Sequence, residues 1–155
     1  MAEHACALIH GPRGLLLELR PASARRAPGQ LTCFGGSCEP HEDPETALRR
    51  ELGEELDWQP RRIHASVALY KGPRWVAQFF TIADPLPHPL HCRIPDHHAI
   101  WVPWPSLPGV PLSPWHAAVI NAWQHGHSRV DLITVPHHPD QHLSSQHETG
   151  QDSVL

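Results

Sequence analysis

The sequence predicts an α/β domain, on three observations: two apolar strand-like segments open the chain, a capped helix follows a Gly-Gly pair, and further strand-like segments lead to a second capped helix. The 155 residues suffice for one domain with a substantial core and are too few for two of ordinary size.

Residues 4–10 (HACALIH) and 14–20 (GLLLELR) are apolar-rich and flank Gly11-Pro12-Arg13, the pattern of two strands around a turn. A basic loop with Arg20, Arg25 and Arg26 follows, then a short apolar stretch over 31–34 and the pair Gly35-Gly36. Asp43 is a good N-cap, Pro44 suits the first helical position, and helix formers run over 45–56 with an apolar stripe of Leu48, Leu52 and Leu56. Residues 63–70 and 75–83 read as strands joined by Lys71-Gly72-Pro73-Arg74, and 100–104 reads as another short strand. The intervening segment 84–97 contains Pro85, Pro87, Pro89 and Pro95 and reads as a loop. Ser113-Pro114 repeats the cap-and-proline signature, and Trp115, Ala118, Val119, Ala122 and Trp123 form the stripe of a second helix that Gly126 can end. From about His137 the chain is polar and lacks apolar periodicity, so the expected domain is 1–136 and the expected disordered, His-rich tail is 137–155, its histidines being candidate ligands for transition metals.

The formal charge is −4 with histidine neutral, and Lys71 is the only lysine among twelve basic residues. That balance offers no footprint for a nucleic acid polymer or an anionic lipid surface. The first eleven residues carry Glu3 and lack a basic start, and no apolar run reaches the ~18–20 residues needed to span a bilayer. The four cysteines, Cys6, Cys33, Cys38 and Cys92, are too few for a disulfide framework. A soluble cytoplasmic protein with reduced thiols is expected, and a homodimer is compatible with the composition.

The chemistry is concentrated in residues 36–58, GSCEPHEDPETALRRELGEELDW. At 100° per residue, Glu51, Glu54 and Glu55 project as one acidic stripe beside the leucine stripe. Three like charges that close repel one another, and a hard divalent cation relieves the repulsion; Mg²⁺ takes a few carboxylates, several waters and substrate phosphate oxygens. The bare backbone of Gly35-Gly36 just upstream can bring a carbonyl to the same place. A solvated helix face with Arg49 and Arg50 pairing with the glutamates is the bland alternative, each pair worth ~0.2–0.5 kcal/mol. Cys33, Cys38 and His41 fit no standard zinc spacing.

Gly36, Glu42, Arg50, Glu51, Leu52, Glu54 and Glu55 stand in the register of the Nudix box: Gly, five residues, Glu, seven residues, then Arg-Glu-aliphatic-x-Glu-Glu-x-Gly-aliphatic. The chain therefore resembles a compact, MutT-like Nudix hydrolase over most of residues 4–125. The resemblance implies an α/β/α sandwich around a mixed β-sheet and a loop-helix-loop that binds Mg²⁺ or Mn²⁺. It implies hydrolysis of a diphosphate linkage in a nucleotide-type small molecule: a nucleoside triphosphate, or a nucleotide sugar such as ADP-ribose. Position by position, it implies Glu54 and Glu55 as the main metal ligands, Glu51 as a ligand or the general base, and the Gly35 carbonyl as a further ligand. Arg50 orients the acidic cluster and Glu42 braces it, while Arg20, Arg25 and Arg26 stand where relatives contact substrate phosphates.

Three departures from the pattern matter. The closing Gly is Asp57, which tolerates the left-handed conformation better than most residues; Trp58 takes the aliphatic place; and Phe34 takes the place of the usual Pro. Many relatives also have an acid shortly before a Trp on a later strand, whereas Asp96-His97-His98-Ala99-Ile100 precedes Trp101 here. Asp96 and His98 are the candidates for an extra ligand or base, with Glu51 alone sufficing as the simpler case. A non-catalytic nucleotide-binding sensor on the same fold is the alternative function, though every acidic box position is intact.

Overall fold

The structure is a computed structural model and describes residues 1–83 and 89–133. The start of the proline-rich loop and the tail expected over 137–155 lie outside the described residues. The strands are β1 (His4–Gly11), β2 (Gly14–Leu19), β3 (Leu31–Thr32), β4 (Phe34–Ser37), β5 (His64–Lys71), β6 (Arg74–Ala83), β7 (His98–Pro103) and β8 (Arg129–Leu132). The helices are α1 (Pro44–Leu56) and α2 (Pro114–Gln124), with a 3-10 turn over Trp104–Gly109. The strands form one eight-stranded sheet in the order β3-β2-β1-β6-β5-β8, with β4 also paired to β1 and β7 to β2. The sheet is mixed: β1–β6 and β5–β8 are parallel, and the other pairs are antiparallel.

The α/β/α layering expected from the resemblance follows from the period-2 alternation of strand side chains. In β1, Ala5, Ala7 and Ile9 face α1 and pack with Leu48, Leu52 and Leu56, while Cys6 and Leu8 face the opposite layer and share it with Val119 and Ile120 of α2. Both faces of the sheet's centre are therefore buried, which is why β1 and β2 read as almost unbroken apolar runs.

Asp43 caps α1 as expected, its carboxylate accepting from Thr46 N–H at 3.0 Å. Asp57 ends the helix in the left-handed region, φ 50°, with its N–H on the Gly53 carbonyl at 3.1 Å. The second helix differs from its expected stripe. His116, Val119 and Ile120 form its most buried face, and Trp115 and Trp123 pack only partly against the core. The strand β8 has no counterpart in the sequence reading. It adds to β5 in parallel and tucks Val130 and Leu132 against the core, while Arg129 and Asp131 pair outside.

Because an L-residue in the left-handed region carries a cost that glycine does not, Asp57→Gly is expected to raise stability by ~0.5–1 kcal/mol. Equilibrium urea unfolding checks this; an equal or lower midpoint contradicts it.

Candidate active site

β1 pairs with β4 in the register Ala5↔Gly36 and Cys6↔Gly35, which lays the Gly-Gly backbone under α1. A side chain has no room there. A Cβ on Gly35, whose φ is 144°, would stand 2.1 Å from the Ala5 carbonyl oxygen, and one on Gly36 would stand 2.5 Å from the Glu51 carboxyl carbon. The Glu51 carboxylate therefore rests on the bare Gly36 backbone.

Arg50 organises the acidic groups. Its Nε and Nη2 donate to the two oxygens of Glu42 at 3.0 and 2.9 Å, and Nη1 donates to Glu51 at 2.8 Å. Nη2 also donates to the Ser37 carbonyl at 3.0 Å, tying α1 to the end of β4. Glu42 in turn accepts the Glu39 N–H at 3.0 Å. Hydrogen bonding from Arg50 holds the Glu42 carboxyl below the usual range, and the pairing with Glu42 raises the Arg50 guanidinium, so both remain charged at neutral pH.

The acidic stripe does not lie on one solvated face. The Glu54 side chain is 62% exposed, 3.6 Å from Arg50, and the Glu51 side chain is 16% exposed. Glu55 is only 6% exposed, and its Oε2 meets no hydrogen-bond partner. Burial pushes its carboxyl up to about 9, with the charges of Glu18 and Glu51 adding to the effect and a backbone hydrogen bond from Gly35 opposing it.

Beside Glu55 opens a cleft of ≈ 300 Å³. Gly35, Gly36 and Glu55 line it together with Thr32, Cys33 and His116, and Arg20 and Arg26 also reach it. Arg93 N–H donates to the Glu55 carbonyl at 2.7 Å, pinning the segment that carries Ile94 and His97 to the last turn of α1, and both side chains line the cleft.

Of the arginines expected at substrate phosphates, Arg20 and Arg26 reach the cleft, whereas Arg25 is exposed and does not line it, and neither does the exposed Asp96, a candidate ligand or base. Asp96 adopts φ 64° in a turn that presents the next residue, His97, to the cleft; His98 is exposed on β7 opposite Leu19. None of Trp75, Phe79 and Trp104 lines it.

Three cleft residues escaped sequence reasoning. Glu18 is 3% exposed near the end of β2, and its Oε1 accepts from Arg20 Nη1 at 2.7 Å and from Thr32 Oγ1 at 3.5 Å. His97 Nδ1 stands 3.4 Å from the same oxygen, outside hydrogen-bond geometry. His116, 2% exposed, accepts the Cys33 N–H at Nδ1 over 3.0 Å, which leaves the neutral ring's proton on Nε2. The available signal for Glu18 was a charge inside the apolar run LLLEL.

The donor set fits a hard divalent cation in its chemistry: hard oxygen atoms, a buried carboxylate that keeps a proton without one, and an orphaned oxygen at Glu55 Oε2. Among the described residues, no three acidic, histidine or cysteine side chains already surround one point. Arg50 instead holds Glu51 and Glu42.

The profile of the NUDIX domain family matches residues 2–123. The chain belongs to the Nudix family. It is MutT-like in architecture, and its class is that of a Nudix-type diphosphate hydrolase. Nudix hydrolases generally use divalent cations. Solved Nudix structures share the fold at low identity. MutT from Methanosarcina mazei is 18% identical with a TM-score of 0.60, covering 79% of this chain and 91% of its own. The MutT Nudix hydrolase of Burkholderia pseudomallei is 23% identical with a TM-score of 0.62, over 76% of this chain and 94% of its own. The Nudix domain of Shewanella oneidensis NrtR, in a complex with ADP-ribose, is 17% identical with a TM-score of 0.62, over 81% of this chain and 87% of its own. No curated protein matches the chain. Among the described residues, no helix is long and apolar enough to cross a membrane.

The raised carboxyl of Glu55 links this Nudix site to stability. The folded chain keeps a proton there at pH values where the unfolded chain has lost it, so the metal-free fold is expected to lose stability as pH rises from the ordinary carboxylate range toward 9. Glu55→Gln removes that titration. In thermal unfolding with a chelator present, the variant's Tm is expected to fall less steeply with pH and to exceed wild type by at least ~3 °C at pH 9; parallel curves contradict this.

Proposed function

We propose that the protein is a cytoplasmic Mg²⁺- or Mn²⁺-dependent hydrolase that cleaves the diphosphate linkage of a nucleoside diphosphate derivative, either a nucleoside triphosphate or a nucleotide sugar such as ADP-ribose. The observation that carries the reading is the retention of Glu42, Glu51 and Glu54 around Arg50, on the helix whose Glu55 lines a cleft that Arg20 and Arg26 also line. The ADP-ribose complex of the structurally similar NrtR domain supports a nucleotide-type ligand. The four free cysteines suit a reducing compartment.

In this reading Glu51, Glu54, Glu55 and the Gly35 carbonyl hold the cation, which supplies charge neutralisation and Lewis-acid polarisation of the phosphoryl oxygens. Arg50 keeps Glu51 oriented on Gly36, where its carboxylate is placed to accept the proton of an attacking water. Glu42 anchors Arg50 from the loop side. Arg20 and Arg26 bind the substrate phosphates, Arg20 being steadied by Nε donating to the Arg26 carbonyl at 2.7 Å. The domain proposed for this activity is 1–136, with 137–155 dispensable for it.

The test is turnover on a panel of nucleoside triphosphates and nucleotide sugars with Mg²⁺, with Mn²⁺ and with a chelator. Hydrolysis is expected only with metal, Glu54→Gln should weaken metal-dependent turnover, and Glu51→Gln should lower kcat by at least ~10²-fold, the usual scale of a general base. Full turnover in either variant overturns its assigned role, and nucleotide binding without turnover across the panel favours a non-catalytic sensor.

A further inference from the structure

We infer that Glu18, on β2 and outside the motif, is a further carboxylate of the cation-binding group, lining the same cleft as Glu55. The inference rests on the cation reading of the preceding section and adds to it a residue from another strand.

A carboxylate buried within a strand is costly to desolvate, and it persists where opposite charge faces it. Glu18 is 3% exposed and lies between Leu17 and Leu19. Arg20 meets its Oε1 at 2.7 Å, while Thr32 and His97 reach the same oxygen at 3.5 and 3.4 Å. These contacts fix where the carboxylate stands, on the wall of the cleft that also holds Gly35, Gly36 and Glu55.

An independent observation points to a ligand at that place. Glu55 is nine-tenths buried, lines the same cleft, and has an oxygen with no partner. Two buried carboxylates in one small cleft repel unless a proton or a cation lies with them, and a hard divalent cation satisfies both at once while using the orphaned oxygen. Glu51 shares its charge with Arg50 and Glu18 shares its own with Arg20, which leaves the orphaned Glu55 oxygen as the unsatisfied point of the group.

The experiment measures Mn²⁺ binding to the full chain without substrate, by the electron paramagnetic resonance signal of free Mn²⁺, in wild type, Glu18→Gln and Glu55→Gln. Glu18→Gln is expected to weaken binding at least ~10-fold in a protein that thermal unfolding shows to be folded. If Glu55→Gln weakens binding and Glu18→Gln leaves it unchanged, the role of Glu18 is overturned and the cation reading stands. If both bind as wild type does, the cation reading falls as well. Should Glu18→Gln not fold, Glu18→Asp keeps the charge and withdraws it by one methylene; weaker Mn²⁺ binding by a folded Glu18→Asp supports the assignment, and unchanged binding overturns it.

Discussion

The guanidinium of Arg50 is the interaction on which the arrangement of the site depends. Its fork spans the two oxygens of Glu42 on the loop, and its remaining nitrogen reaches Glu51 on its own helix. Unit charges ~4 Å apart interact by about 4 kcal/mol at an effective dielectric of ~20, enough to scatter a cluster of glutamates that had no cation among them. Arg50 supplies that charge and fixes direction too, since a planar fork accepts only one orientation of its carboxylate partner. Its bond to the Ser37 carbonyl carries the same order into β4, so loop, strand and helix are set against one another by a single side chain.

The rest of the fold delivers backbone and charge to that point. Burial of both sheet faces fixes β1 and β4 side by side, and only glycine permits the close approach that follows. The last turn of α1 projects Glu55 inward, where its environment is nearly dry, while Glu54 one residue earlier stays in solvent. One helix thus offers carboxylates in three environments: Glu55 buried, Glu51 hydrogen-bonded to arginine, and Glu54 largely solvated at the end of a longer pair with the same arginine. The segment pinned to Glu55 by Arg93 contributes Ile94 and His97 to the cleft, and α2 places His116 on its wall with a defined tautomer.

Much of this is legible in the chain because it is local. Asp43, Pro44 and the leucine stripe mark α1 through capping and periodicity, and Asp57 ends it as its tolerance for positive φ allows. What escapes is contact between residues distant in sequence. Glu18 is one charge in an apolar run until pairing places it opposite Ala99 on β7, two residues before Trp101. The turn at Asp96 decides that His97, and neither Asp96 nor His98, enters the cleft, and a backbone dihedral is not written in composition. His116 faces inward because β3 binds the entrance of α2 through Leu31, with hydrogen bonds to Pro111 and Ser113. The alternation of Val130 and Leu132 in β8 was readable, but four residues carry too little periodicity to announce a strand.

The most direct test of the account is anomalous scattering from crystals grown with Mn²⁺. The account predicts a peak within about 2.5 Å of carboxylate oxygens from Glu55 and at least one other glutamate of the motif, beside the Gly35 carbonyl. A peak confined to histidines away from the cleft, or no peak at saturating Mn²⁺, would contradict it.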